Sequence, residues 1–177
     1  MKRKVNYTEY AQRIAEALPR GILLGTNGEK FNAMTIAWGA LGTCWAVPIF
    51  TVYVRYSRYT KAQLDATGEF TISVPLGALD PKINRVCGSM SGRDVDKVKE
   101  AGLTLVEPEL IGVPGIKECP LTLECKVLYS QPQELERIPK EILDRFYPQN
   151  VPGTFPMANR DAHVAYMGEI VNAYIIE

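Results

Sequence analysis

Apolar and polar residues alternate along most of the chain in short runs that have the length of β-strands. The runs at residues 22–26 and 31–38 flank Asn27-Gly28-Glu29-Lys30. Because an Asn-Gly pair is a strong turn signal, these two runs are predicted to form a hairpin. Further strands are predicted at residues 48–54, 70–74, 103–106, 121–128 and 163–176. Gly168 lies inside the last of these runs and predicts a bulge or bend there.

Helical periodicity is confined to a few separate segments. Residues 7–18 place an apolar stripe on one face, and Pro19 follows where a helix should end. Other helices are predicted at residues 57–66, 80–87, 94–101 and 140–146. Because solitary helices interrupt the strands without regular βαβ alternation, the pattern indicates a mainly β, α+β fold. We expect one domain over residues 1–177, an antiparallel barrel with peripheral helices.

The segment from about residue 130 to 162 departs from this pattern. It is polar, contains several prolines and shows no core-like strand apart from its flanks. Phe146, Tyr147, Phe155 and Met157 give it apolar groups to bury, which argues against full disorder. We therefore interpret it as an insertion that folds over the body of the domain as a lid.

Composition excludes several classes of protein. The 20 basic and 20 acidic residues balance, and only Lys2-Arg3-Lys4 concentrates positive charge, so no nucleic-acid surface is expected. There is no secretory leader and no apolar run long enough for a bilayer, which predicts a cytoplasmic protein without membrane contact. Four cysteines without a Cys-x-x-Cys pair and a single histidine predict reduced, mostly buried thiols and no metal site.

The stretch around Arg55, Ser57, Arg58 and Thr60 runs from a strand end into a helix start. Ser57 is a natural N-cap, and the free amides of a first helical turn attract anions such as phosphate. Arg55 or Arg58 could add a charge-assisted hydrogen bond. The alternative is an ordinary capped helix with solvated arginines.

Three other places carry candidate side chains. Asn32 and Thr35 are possible hydrogen-bond donors on a strand that also carries Trp38, although Trp38 could simply fill the core. A small-residue loop with Ser91 leads to a helix that Asp94 is predicted to cap, with Lys97 one turn inside it, where Lys97 could also be solvated. His163 begins the final strand, either as a proton donor or as a structural histidine.

Together these segments resemble the flavin reductase-like FMN-binding family, which includes flavoredoxins and NAD(P)H:flavin oxidoreductases. The resemblance is carried by Asn32-Ala-Met34-Thr35-Ile-Ala-Trp38-Gly39, by Tyr53-Val-Arg55-Tyr-Ser57-Arg58-Tyr-Thr60, by residues 68–74 and 91–97, and by the closing residues 163–170. It implies an FMN-binding split barrel, with FMN in a groove at the interface of a homodimer.

The resemblance also implies roles for individual residues. Those expected at the isoalloxazine are Asn32, Met34, Thr35 and Trp38. Those expected at the phosphate are Arg55, Ser57, Arg58 and Thr60, and a second flavin-contacting segment would contribute Ser91 and Lys97. His163 matches a histidine near the flavin and the nicotinamide and is the candidate catalytic residue.

Alternative functions remain open. In the first, NADH or NADPH reduces bound FMN, which passes the electrons to a flavin or another acceptor. In the second, FMN is a permanent carrier, as in flavoredoxin, and a redox protein partner supplies the electrons. A third is a pyridoxal-phosphate or other phosphate-ligand binder. No Gly-x-Gly-x-x-Gly motif identifies the nicotinamide, and the insertion is expected to cover an edge of the flavin.

Overall fold

A computed structural model describes residues 1–152 and 159–177. The strands are β1 (Lys2–Lys4), β2 (Ile22–Asn27), β3 (Phe31–Ile36), β4 (Gly39–Cys44), β5 (Val47–Arg55), β6 (Glu69–Val74), β7 (Leu105–Val106), β8 (Gly115–Ile116), β9 (Leu121–Pro132) and β10 (His163–Ile176). The helices are α1 (Ala11–Ala17), α2 (Tyr59–Thr67), α3 (Pro81–Ser89), α4 (Lys97–Ala101) and α5 (Lys140–Phe146), with 3₁₀ turns at Tyr7–Tyr10, Leu18–Arg20 and Leu135–Arg137.

Eight of the strands form one antiparallel sheet. Seven follow the order β3-β2-β6-β9-β10-β5-β4, and β1 adds to β10. The two ends, β3 and β4, are not paired with each other in the described part of the chain, so the sheet is an open, split barrel. Peripheral helices flank this sheet, and the fold class predicted from the sequence is confirmed.

The long strand β10 organises the sheet because it pairs with β9, β5 and β1. Its register against β9 shifts between Met167 and Gly168, which confirms the predicted bulge. A Cβ at Gly168 would lie 2.5 Å from the Phe70 ring, so a larger residue would displace that ring. The absence of a side chain at Gly168 thus lets β10 pass close to the Phe70 ring.

The main core lies inside the curved sheet. Phe50, Phe70 and Tyr166 are among its largest fully buried side chains. Ile14 of α1 and Leu64 of α2 close the same core from outside the sheet. A second cluster holds α3 and α4 against β2 and β3 through residues such as Leu23 and Val86. The first cluster thus packs α1 and α2 against the sheet, and the second packs α3 and α4 against it.

The structure corrects several predicted boundaries. Strands β1, β4 and β8 were not predicted, and the strand predicted at residues 103–106 is limited to Leu105–Val106. Strand β4 forms a hairpin with β5 through Trp45 and Ala46, which both have positive φ. Helix α2 begins at Tyr59 with Arg58 as its N-cap, so the prediction of Ser57 as the N-cap is wrong. Helix α4 begins at Lys97 with Asp96 as its N-cap, so Asp94 does not cap it and Lys97 is its first residue.

The insertion is structured in its described part. Its first residues, up to Pro132, continue β9 and pair with β10, so the predicted end of that strand at residue 128 and the start of the insertion at about 130 are corrected. The 3₁₀ turn and α5 follow, the latter with the bounds that were predicted. Phe146 and Tyr147 pack against the body of the domain, at Trp38 and His163. The predictions for Phe155 and Met157 concern residues that lie outside the described ranges. No helix in the described ranges has the length and apolar character needed to cross a membrane.

Candidate functional site

One cavity of about 960 Å³ lies between β3, the β5–α2 junction, the α3–α4 connection and the start of β10. All eleven residues predicted for the site line it: Asn32, Met34, Thr35, Trp38, Arg55, Ser57, Arg58, Thr60, Ser91, Lys97 and His163. The sheet and the helix pairs therefore bring together residues that are up to 131 positions apart in the chain. Its volume is in the range typical of cofactor pockets, roughly 300–1,000 Å³.

At the β5–α2 junction a backbone amide donates to a carboxylate of the insertion. The Ser57 N–H donates to Oδ2 of Asp161 at 2.7 Å. Arg93 Nη1 donates to the Ser57 carbonyl at 2.9 Å, and its guanidinium lies 5.4 Å from the centre of the Tyr59 ring. Since an anionic group already accepts a hydrogen bond here, the junction has the donor geometry that a phosphate requires.

The two arginines of the junction have different surroundings. Arg55 is buried, and its guanidinium donates to the carbonyls of Asn159 at 2.9 Å, Asp161 at 2.6 Å and Phe146 at 2.7 Å. Within the described residues the Arg58 guanidinium makes one hydrogen bond, from Nη2 to the side-chain Oδ1 of Asn159 at 2.7 Å. Arg55 therefore fastens the insertion to β5, whereas most of the donors of Arg58 remain available to a ligand.

Asn32 is held in a close-packed position on β3. Its Nδ2 donates to Thr60 Oγ1 at 2.9 Å, and that hydroxyl lies 3.8 Å from the sulfur of Met34. Its Oδ1 is buried and has no hydrogen-bond partner in the described residues. A Cβ at Gly92 would lie 2.2 Å from this oxygen, so only glycine fits there. Asn32 thus has a fixed orientation and an unused acceptor.

Lys97 lines the cavity but is buried, so it is not solvated. Its ammonium donates to the carbonyls of Ala33 at 2.8 Å and Cys87 at 3.1 Å. Burial lowers the pKa of Lys97 to about 8, with a smaller lowering from Arg58. A buried ammonium bonded to neutral carbonyls favours an anionic ligand nearby.

Thr35, Ser91 and Cys87 complete this side of the cavity. Thr35 Oγ1 makes a long contact of 3.4 Å to the carbonyl of Asn84, and Ser91 Oγ accepts from the Arg93 amide at 3.2 Å. Burial raises the pKa of Cys87 to about 11, so this thiol stays protonated at neutral pH. The cysteines are free, and Cys87, Cys119 and Cys125 are buried. Among residues 1–152 and 159–177, no group of His, Cys, Asp or Glu side chains could hold a metal ion.

Aromatic rings form the opposite wall. Trp38 is 37% exposed, so it does not fill the core. Its ring centre lies 4.9 Å from that of His163 and 5.2 Å from that of Phe146, which approaches edge-on. His163 is buried, and its Nδ1 lies 2.8 Å from the hydroxyl of Tyr147. Burial, reinforced by Arg55, lowers the pKa of His163 to about 4, so the imidazole is neutral at pH 7.

The structure adds residues that the sequence did not identify. Arg93, Asn159 and Asp161 line the cavity, and Tyr147 contacts His163 from the insertion. Arg93 follows Ser91 in a motif that had already been selected, so its charge was a usable signal. Asn159 and Asp161 lie in the insertion, where no local pattern indicates that they reach the cavity, and Tyr147 was predicted there only as an apolar group to bury.

Comparisons with known proteins identify the family of the chain. The family model described as "Flavin reductase like domain" matches residues 15–177. An uncharacterized protein of Archaeoglobus fulgidus is 34% identical over 124 residues, which are 70% of this chain and 66% of that protein. The chain thus spans slightly less than two thirds of that relative.

Two solved structures share the fold. Flavoredoxin of Desulfovibrio vulgaris (Miyazaki F) is 25% identical with a TM-score of 0.64, over 89% of this chain and 69% of that one. An FMN-binding domain of a flavin reductase-like enzyme from Shewanella baltica is 19% identical with a TM-score of 0.66, over 99% and 77% of the two chains, and shows the fold alone. With a family model that matches nearly its whole length, this chain belongs to the flavin reductase-like family.

Proposed function

We propose that the protein binds FMN non-covalently in this cavity and is an FMN-dependent oxidoreductase. Family membership supports a flavin-related redox role. The observation that carries the proposal is the convergence of the eleven predicted residues on one cavity. In this proposal Ser57, Arg58 and Thr60 hold the phosphate.

The charge balance of the cavity fits an anionic ligand. Among the described residues, five cationic side chains and two carboxylates line it. The cations are Arg55, Arg58, Arg93, Lys97 and Arg160, and the carboxylates are Asp94 and Asp161. The Ser57 N–H now donates to the Asp161 carboxylate, and it would donate to a phosphate oxygen once that side chain is displaced. The residues present therefore fit FMN.

The rest of the cavity suits the ring system. Asn32 lines the cavity with its amide fixed by the hydrogen bond to Thr60, so it would face the ring in one orientation. Lys97 supplies the positive charge that a reduced flavin ring attracts, while Trp38 supplies a flat apolar wall. Bound FMN would accept and release electrons, and these side chains would orient its ring and exclude water from it.

The electron donor separates the two candidate functions. We propose NADH or NADPH as donor, with a flavin or another small acceptor. The similarity to flavoredoxin favours a second candidate, in which FMN is a permanent carrier and a redox protein supplies the electrons. Anaerobic mixing of the FMN-loaded protein with NADH or NADPH tests this choice. Loss of the visible absorption of the oxidised flavin supports the enzyme. An unchanged absorption spectrum supports the carrier, provided that dithionite then reduces the same flavin fully.

We also propose that the protein is a homodimer. Trp45 at the β4–β5 turn is 60% exposed and contacts the Tyr129 ring at 6.1 Å, next to the exposed Leu128. This apolar surface adjoins the edge strand β4, which has a free side for another chain.

Sedimentation equilibrium at micromolar concentration tests the dimer, and Trp45→Asn is the informative variant. Asparagine suits the positive φ of 51° at this turn position, so the hairpin should be kept while the apolar ring is removed. We expect the wild type to sediment as a dimer and the variant to dissociate more readily. A monomeric wild type that carries flavin would contradict the proposal.

A further inference from the structure

A chain of hydrogen bonds leads from the insertion to the histidine of the cavity. The Tyr147 hydroxyl donates to Oε1 of Gln133 at 2.9 Å. The same hydroxyl lies 2.8 Å from Nδ1 of His163. The Gln133 backbone N–H also donates to the carbonyl of His163 at 2.9 Å, which fixes the start of the chain against β10. All three residues are therefore held in place by the fold.

The protons of this chain can be counted. A tyrosine hydroxyl has one proton, and because Oε1 of Gln133 can only accept, the hydrogen bond between them uses that proton. The contact between Tyr147 and His163 is a hydrogen bond only if Nδ1 of the imidazole carries the proton. Burial raises the pKa of Tyr147, so the hydroxyl keeps its proton at neutral pH. In a neutral imidazole the other nitrogen, Nε2, then has a free lone pair.

The surroundings of His163 keep the ring neutral. Among the residues that the structure describes, three charged groups face the ring. Arg55 and Arg58 oppose a second proton, whereas Asp161 favours one. The effect of Asp161 is weaker than that of burial and weaker than that of Arg55. The rings of Trp38 and Tyr147 cover it on two sides, and its remaining surface lines the cavity. Within the described residues Nε2 makes no hydrogen bond, so it is free for a bound molecule.

We propose that Tyr147, supported by Gln133, is a positioning residue that holds His163 as the neutral Nδ1–H tautomer, with Nε2 as a hydrogen-bond acceptor in the cavity. His163 then does not donate a proton at neutral pH. It recognises ligands that present an N–H or O–H donor, such as a carboxamide, and disfavours those that offer only acceptors. The ligand part of this inference rests on the proposed function, whereas the tautomer does not.

The test uses the fact that His163 is the only histidine of the chain. In uniformly ¹⁵N-labelled protein, long-range ¹H–¹⁵N spectra show one pair of imidazole nitrogens, and the protonated and unprotonated nitrogens differ widely in chemical shift. We expect a protonated Nδ1 and an unprotonated Nε2 at pH 7, with and without FMN.

Three variants separate positioning from packing. Tyr147→Phe keeps the ring and should shift the nitrogens toward a mixture of tautomers. Gln133→Leu removes the acceptor, so the Tyr147 proton should turn to Nδ1 and invert the tautomer to Nε2–H. Tyr129→Phe is the matched control, because Tyr129 makes an exposed hydroxyl contact to Gln131 at 3.1 Å. This control should leave the nitrogens unchanged.

Two results would overturn the proposal. One is an Nε2–H tautomer in the wild type, which would mean that Tyr147 donates to His163. The other is an Nδ1–H tautomer that Tyr147→Phe leaves intact, which would assign the tautomer to another contact. Because the spectra are recorded with flavin-free protein as well, a failure here is distinct from a failure to bind FMN.

Discussion

We expect Arg55 to contribute mainly to the stability of the fold and Arg58 mainly to ligand binding, and Arg55→Ala tests the first of these roles. The Arg55 guanidinium donates to three backbone carbonyls, those of Phe146, Asn159 and Asp161. Each hydrogen bond from a charged donor contributes about 1.5–3 kcal/mol to stability. Since the three share one group, their contributions do not add fully. We therefore expect Arg55→Ala to lower the free energy of unfolding by about 3–5 kcal/mol.

Arg58→Ala is the matched control because, among residues 1–152 and 159–177, the Arg58 guanidinium makes a single hydrogen bond, to the side chain of Asn159. Its loss should cost less than about 1.5 kcal/mol of stability. Thermal unfolding of flavin-free protein, followed by circular dichroism, measures both variants without a contribution from ligand binding. For a chain of this length, the Arg55→Ala loss corresponds to a fall in Tm of roughly 10 °C.

The opposite pattern would refute this assignment. If Arg55→Ala unfolds within about 1 kcal/mol of the wild type but loses affinity for FMN, then Arg55 binds the phosphate. The carbonyls of the insertion would in that case be satisfied by water.

Three further predictions follow from the site. Asp161→Asn should raise the affinity for FMN roughly three- to tenfold and leave riboflavin unchanged in fluorescence titrations, because it removes a negative charge beside the phosphate position. Gly92→Ala should weaken FMN binding by displacing Asn32, whereas Gly77→Ala, where a Cβ would meet nothing within 4 Å, should not; equal effects would contradict this. Because the pKa of His163 is lowered to about 4 in the folded protein, the unfolded chain binds more protons than the folded chain between pH 6.5 and 4. The free energy of unfolding, measured with urea, should therefore fall over this range by up to about 3 kcal/mol more in the wild type than in His163→Gln.

The sheet was largely predictable because its strands carry local patterns. The alternation in β10 and the Asn-Gly turn between β2 and β3 are visible without a structure. Strand β4 was missed because Gly39, Ala40 and Gly42 give it little β propensity, and Trp45-Ala46 is not a recognisable turn. Its pairing is imposed by β5.

The site was predictable as a set of residues, whereas its contacts were not. Ser57 has the side chain of an N-cap, yet its amide bonds to Asp161, which lies 104 positions away. Arg55 and Arg58 carry the same charge in the sequence, and only the folded insertion distinguishes their environments. Long-range contacts of this kind leave no local signal. The roles assigned to the site residues toward FMN therefore stay predictions.

The most direct test of the central proposal is a fluorescence titration of flavin-free protein with FMN and with riboflavin, for the wild type and for Arg58→Ala. We expect about one FMN per chain and tighter binding of FMN than of riboflavin. Arg58→Ala should weaken FMN about ten- to a hundredfold and leave riboflavin unchanged, because only FMN carries the phosphate. A wild-type protein that leaves flavin fluorescence unchanged, or a variant that weakens both flavins equally, would contradict the account.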